Sequence, residues 1–92
     1  MDETIVMDGI KLTLTCDVCP EQYAATKNGK QVGYLRLRHG HFTVQCPDVC
    51  RELVYEAEPI GDGTFEPEER SKFLGEAVRA ISAWLARHPD YN

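Results

Sequence analysis

Residues 23–38 read YAATKNGKQVGYLRLR. At the centre, Asn28-Gly29 supplies the two positions that tolerate positive φ, as a two-residue type I′ turn requires, and the residues on either side can alternate across a sheet. The stretch is therefore a β-hairpin. In its second arm Gly33, Leu35 and Leu37 fall on one face and Val32, Tyr34, Arg36 and Arg38 on the other, the period of two that gives a strand one buried side.

Toward the C terminus, His39-Gly40 makes a second tight turn into HFTVQC, where Phe42, Val44 and Cys46 oppose His41, Thr43 and Gln45. PDV turns the chain again into RELVYEAE, with Leu53, Tyr55 and Ala57 in phase. Strands are thus expected over 22–27, 31–38, 41–46 and 51–58, in an up-and-down meander. Toward the N terminus, GIKLTLTC alternates Ile10, Leu12, Leu14 and Cys16 against Lys11, Thr13 and Thr15, which predicts one more strand over 10–16. The first ten residues, MDETIVMDGI, are acidic and lack the basic and apolar regions of a secretory leader. The chain is expected to stay in the reducing cytoplasm, where disulfides are disfavoured.

Beyond the meander, PIGDGTFEPEE is rich in turn formers and leads to a helix start at Pro67. Phe73, Leu74, Ala77, Val78, Ile81, Trp84 and Leu85 recur at helical spacing, while Arg70, Lys72, Glu76, Arg79 and Arg87 lie away from that stripe. Glu66, Glu68 and Glu69 suit the positive end of the helix dipole, Arg87 and His88 suit its negative end, and Pro89 stops the run. The helix is expected over 67–88. One apolar stripe and one apolar sheet face cover each other, so the predicted architecture is a single α+β domain: a five-stranded antiparallel meander with the C-terminal helix on one face.

A chain of 92 residues can bury a core without a metal or disulfides for support. With 42% hydrophobic and 27% charged residues the composition is that of a soluble globular protein, and no apolar run nears the roughly 20 residues that span a bilayer. The net charge of −5 argues against general nucleic-acid binding and favours solubility or a basic partner. The charges are unevenly placed. Seven acids and no Lys or Arg lie between Glu52 and Glu69, whereas the bases concentrate in KNGKQVGYLRLRHGH. This pattern suits cross-strand pairs on a solvated face.

The chemistry-bearing residues are few. Cys16/Cys19 and Cys46/Cys50 form C-x2-C and C-x3-C pairs, and four thiolates could complete a structural zinc site. Against this, neither pair is followed by the glycine common in zinc knuckles, and the meander places the pairs at opposite ends of strands about 17–20 Å long, whereas sulfurs sharing a zinc lie within roughly 4 Å of one another. Cys16 and Cys46 are also in phase with the buried residues of their own strands, as small hydrophobes. Buried thiols are the favoured reading, and zinc is the one cofactor kept as an alternative. His39, His41 and His88 have no spacing that sets them against a cysteine, and are expected to be solvent-exposed. The loop IGDGTFEPEE carries no phosphate-binding or EF-hand pattern, and its glutamates would repel a phosphate.

NGKQVGYLRLR is similar to the central hairpin of GNAT-type acetyltransferases, which would imply an acyltransferase. The family's Q/R-x-x-G-x-G/A acyl-CoA loop has no counterpart in this chain. The stretches CPEQY, GYLRLRHG, ELVYEA and GDGTFEPEER together resemble a group of small uncharacterised proteins of gut-type Firmicutes and their prophages, over residues 19–70. The resemblance implies a small accessory protein of the cytosol, of phage origin, that binds rather than catalyses. No activity or site residue comes with it. The candidate function is a non-enzymatic protein-interaction domain. Its candidate binding surface is the solvent face of the sheet around Tyr34, Arg36, Arg38, His41 and Glu56, with an open sheet edge as a route to a partner or a homodimer. The competing module is the one held by Cys16, Cys19, Cys46 and Cys50.

Overall fold

Three dipeptides reverse the chain in the same way. Asp8-Gly9, Asn28-Gly29 and His39-Gly40 have φ values of 52° and 77°, 54° and 80°, and 54° and 72°, the paired left-handed conformation of a type I′ turn. A computed structural model of the chain, which describes residues 4–16 and 21–91, shows what these turns build. Strands β1 (Thr4–Met7), β2 (Ile10–Cys16), β3 (Glu21–Lys27), β4 (Lys30–Arg38), β5 (His41–Cys46) and β6 (Glu52–Ala57) form one antiparallel sheet in sequence order. Helix α1 (Pro67–Arg87) follows, then a 3₁₀ turn, Pro89–Tyr91. The sheet has six strands rather than the expected five. Thr4–Met7 pairs along its whole length with Ile10–Thr13, because Asp8-Gly9 closes a two-residue hairpin.

The helix lies across one face of the sheet. Leu74, Ala77, Val78, Ile81, Trp84 and Leu85 are buried against Leu35, Leu37, Phe42, Val44 and their neighbours, and Phe73 packs at the margin. Each large aliphatic or aromatic side chain removed from water contributes about 1.5–3 kcal/mol of transfer free energy, so this seam dominates the attraction between the layers. The approach is close at Gly33, where a Cβ would stand 2.9 Å from Ile81 Cδ1.

Three bulges shift the face assignments read from alternation. At the first, Leu14 pairs with Tyr23 but Cys16 pairs with Gln22, so Thr15 is extra and the position of Cys16 falls in phase with Gln22 instead of with the core positions Ile10 and Leu12 as expected. Ala25 pairs with Gly33 but Thr26 pairs with Gln31, so Val32 is an extra residue and turns into the core instead of joining Tyr34 and Arg36. Likewise Val44 pairs with Tyr55 but Gln45 pairs with Leu53, so Val54 is extra. Leu53, expected in phase with Tyr55, is 47% exposed.

The segment 58–66 is pinned to the sheet and the helix. Gly63 O accepts from Glu21 N–H, Asp62 O accepts from Gly40 N–H, and the Glu69 carboxylate accepts from the N–H groups of Ile60, Gly61 and Glu66. Glu69 therefore turns inward to cap the helix instead of crowding its solvent-facing end. Phe65 inserts against Phe42, with ring centroids 4.9 Å apart. At the other end of the helix, His88 is not the exposed residue expected. Its ring stacks on Trp84 at 4.0 Å and Nδ1 lies 2.8 Å from Trp84 O. Tyr91 packs beside Trp84 and under the ammonium of Lys30, so part of the C-terminal HPDYN is core margin rather than tail.

Candidate functional site

Directly opposed residues of an antiparallel pair share a face, so the register defines the surface turned away from the helix. Tyr34 opposes Gln45, Arg36 opposes Thr43, Arg38 opposes His41, and Thr43 in turn opposes Glu56. All five sequence-derived candidates, Tyr34, Arg36, Arg38, His41 and Glu56, therefore lie together on β4–β6. The bulge at Val54 adds Leu53 beside Gln45, an apolar contact that strict alternation places on the other face. On the far side of the same face Lys11 opposes Thr26, and Gln22 opposes Arg36.

The polar groups of this face divide into fixed and free. The Tyr34 hydroxyl donates to Gln22 Oε1 on the neighbouring strand. His41 Nε2 lies 2.8 Å from Glu56 Oε1, with both side chains about half exposed. Among the described residues, neither Arg36 nor Arg38 has a carboxylate within 4.0 Å. Glu56, the acid that shares this face, is engaged with His41, and other acids are engaged on the helix side of the sheet. Glu69 caps the helix, Glu76 accepts from the Tyr55 hydroxyl, and Glu52 accepts from Trp84 Nε1 at 3.1 Å while facing Arg87 at 3.6 Å. A chain of net charge −5 thus carries two unpaired guanidinium groups on its uncovered sheet face.

The strongest ionic contact is elsewhere and is structural. Glu21, only 3% exposed, accepts two bonds from Arg70, at 2.9 and 3.1 Å, and others from the Tyr23 hydroxyl and Phe65 N–H. Burial pushes the Glu21 carboxyl up, but Arg70, Tyr23 and the Phe65 amide together hold it below the ordinary carboxylate range. Sequence reading placed Arg70 away from the apolar stripe, and nothing local points to a partner 49 residues distant.

Cys46 and Cys50 sit in different environments. Cys46 is fully buried, and burial, with Glu52 adding to it against Arg87, pushes its thiol up to about 12. Cys50 is exposed at a left-handed φ of 64°, and its N–H donates to Gln45 Oε1. Cys16 ends β2 opposite Gln22, and Cys19 lies outside the described residues. The backbone positions of Cys16 and Cys46 are three strand spacings apart, about 14 Å at roughly 4.8 Å per strand. Among the described residues no three His, Cys, Asp or Glu side chains are grouped so as to hold a metal ion. β4 passes through His39-Gly40 straight into β5.

No family model, curated protein or solved structure matches this chain. Among the described residues no helix is long and apolar enough to cross a membrane.

Proposed function

We propose that this chain is a non-enzymatic protein-interaction domain, and that the open face of its sheet takes an extended acidic segment of a partner protein. Arg36 and Arg38 carry the reading: two adjacent-row guanidinium groups without a carboxylate among the described residues, on the same face as the phenol of Tyr34 and the exposed Leu53. Arg is the residue best suited to bidentate carboxylate recognition, and Tyr and Leu supply the apolar contact that such a segment needs between its charges. His41 and Glu56 form a paired rim that sets the limit of the basic area. The sequence resemblance to prophage-type proteins suggests the setting, a small accessory role in the cytoplasm. A catalytic role would need a nucleophile or base poised against a cleft, whereas Cys46 is buried, with its thiol pushed up to about 12.

The test is fluorescence anisotropy with a labelled peptide of alternating glutamate and valine, compared with a thymidine oligonucleotide of equal charge. The expected result is peptide binding that falls with salt and drops at least about tenfold, roughly 1.4 kcal/mol, in the Arg36→Glu/Arg38→Glu variant, whose thermal melt stays unchanged. Equal peptide affinity in wild type and variant contradicts the assignment, as does preference for the oligonucleotide.

A further inference from the structure

The two edges of the sheet are defended unequally. At β6 the edge carries Glu52 and Glu56 and is broken by the extra residue Val54, the devices that keep an edge from templating another strand. At β1 the edge is Thr4, Ile5, Val6 and Met7, with no charge, no proline and an unbroken register against β2. Val6 is 66% exposed, and Ile5 and Met7 are only partly buried although Ile10 and Leu12 beside them are fully buried. Among the described residues nothing covers this edge, because the helix packs on β4–β6.

The geometry of β1 also fixes which backbone groups are free. A two-residue hairpin closes on a hydrogen-bonded pair, here Met7 and Ile10, so hydrogen-bonded and open pairs alternate from there. Ile5 and Met7 therefore spend their backbone groups on β2, while Thr4 and Val6 aim N–H and C=O outward. We propose that β1 is a self-association site at which two copies join antiparallel about a two-fold axis at Ile5. This register opposes Thr4 to Val6 of the second copy and Val6 to Thr4, satisfying the outward groups of both residues. Ile5 meets Ile5 of the second copy on the core face, and the two sheets become one of twelve strands. Between Thr4 and Val6 of the two copies this register opposes no like charges, and both helices stay clear of the junction. A four-residue contact is below the roughly 1,200 Å² typical of stable interfaces, so the dimer is a weak one that grows with concentration. Each copy carries −5, so added salt strengthens it by screening their repulsion.

Sedimentation velocity over a concentration series tests this, with wild type, Val6→Lys and Thr4→Pro compared at low and high salt. Val6→Lys places a charge on an exposed edge, and Thr4→Pro removes an outward N–H at the first strand position. Both are expected to keep the wild-type melting temperature. The expected result is a dimer that increases with concentration and salt and is lost in both variants. A wild-type protein that remains monomeric at millimolar concentration overturns the proposal. A dimer unchanged in both variants also overturns it, as does one that weakens with salt and is lost in Arg36→Glu/Arg38→Glu, since association would then run through the open face.

Discussion

Arg70 grips Glu21 with two nitrogens, Nε at 2.9 Å from Oε2 and Nη2 at 3.1 Å from Oε1, and so ties the first turn of the helix to the first residue of β3. The same guanidinium reaches Phe65 O, and the same carboxylate accepts from Phe65 N–H, so one ion pair fixes the loop that carries the chain from sheet to helix. Arg70→Met leaves Glu21 buried with its cation gone. Breaking a fully buried pair costs about 3–5 kcal/mol, and because the Arg70 side chain is 38% exposed the expected loss is nearer ~2 kcal/mol. Urea denaturation measures it, and the Glu21→Leu/Arg70→Leu double variant is expected to lose less than the sum of its single changes.

Acid should act through the same carboxylate. Burial raises Glu21 and Glu69, but Arg70, Tyr23 and Phe65 N–H in one case, and three backbone N–H groups with Lys72 in the other, hold both below the ordinary 4.5. A folded value below the unfolded one means stability that is complete above about pH 4.5 and lost as pH falls through the folded values. The urea midpoint between pH 7 and pH 3 should fall steeply for wild type and less steeply for Glu21→Gln. Parallel curves would contradict this.

Thiol reactivity should separate Cys46 from Cys50. Alkylation mapped by peptide mass should label exposed Cys50 in the folded protein and Cys46 only after unfolding. With the Cys46 thiol at about 12 against an ordinary 9.0, its contribution to stability is complete below pH 9 and declines above it.

Two glycines should respond in opposite directions to alanine. A Cβ at Gly61 would stand 1.9 Å from Thr64 O, so Gly61→Ala forces the pinned loop open and should lower the melting temperature. Gly75, inside α1, has open space around that position. Gly75→Ala should stabilise by about 0.5–1 kcal/mol through reduced freedom of the unfolded chain.

The turns and the periodicity made most of this fold legible. Asn28-Gly29 and His39-Gly40, with alternation on either side, locate three strands, PDV and the alternation of GIKLTLTC locate two more, and the apolar stripe from Phe73 to Leu85 locates the helix. Asp8-Gly9 carries the same signal for β1, but Ile5 and Val6 sit among the acids of MDETIVMDGI and show too short an alternation to mark an edge strand. The bulges at Val32 and Val54 were not legible, since a bulge is a mismatch between two strands and neither strand's own alternation reveals it. That is why Leu53 was missed as part of the open face. The grouping of Tyr34, Arg36, Arg38, His41 and Glu56 was legible because the two-residue turn His39-Gly40 fixes β4 against β5 and the alternation of β6 brings Glu56 opposite Thr43. The Glu21–Arg70 pair was not, because it depends on how the helix lies on the sheet.

The open face as a site for an acidic segment is tested most directly by titrating the ¹⁵N-labelled protein with the glutamate–valine peptide and mapping amide shifts. The account predicts shifts confined to β4–β6, centred on Tyr34, Arg36, Arg38 and Thr43, and absent in the Arg36→Glu/Arg38→Glu variant. Shifts centred on the outer surface of α1, or no shifts at millimolar peptide, would contradict it.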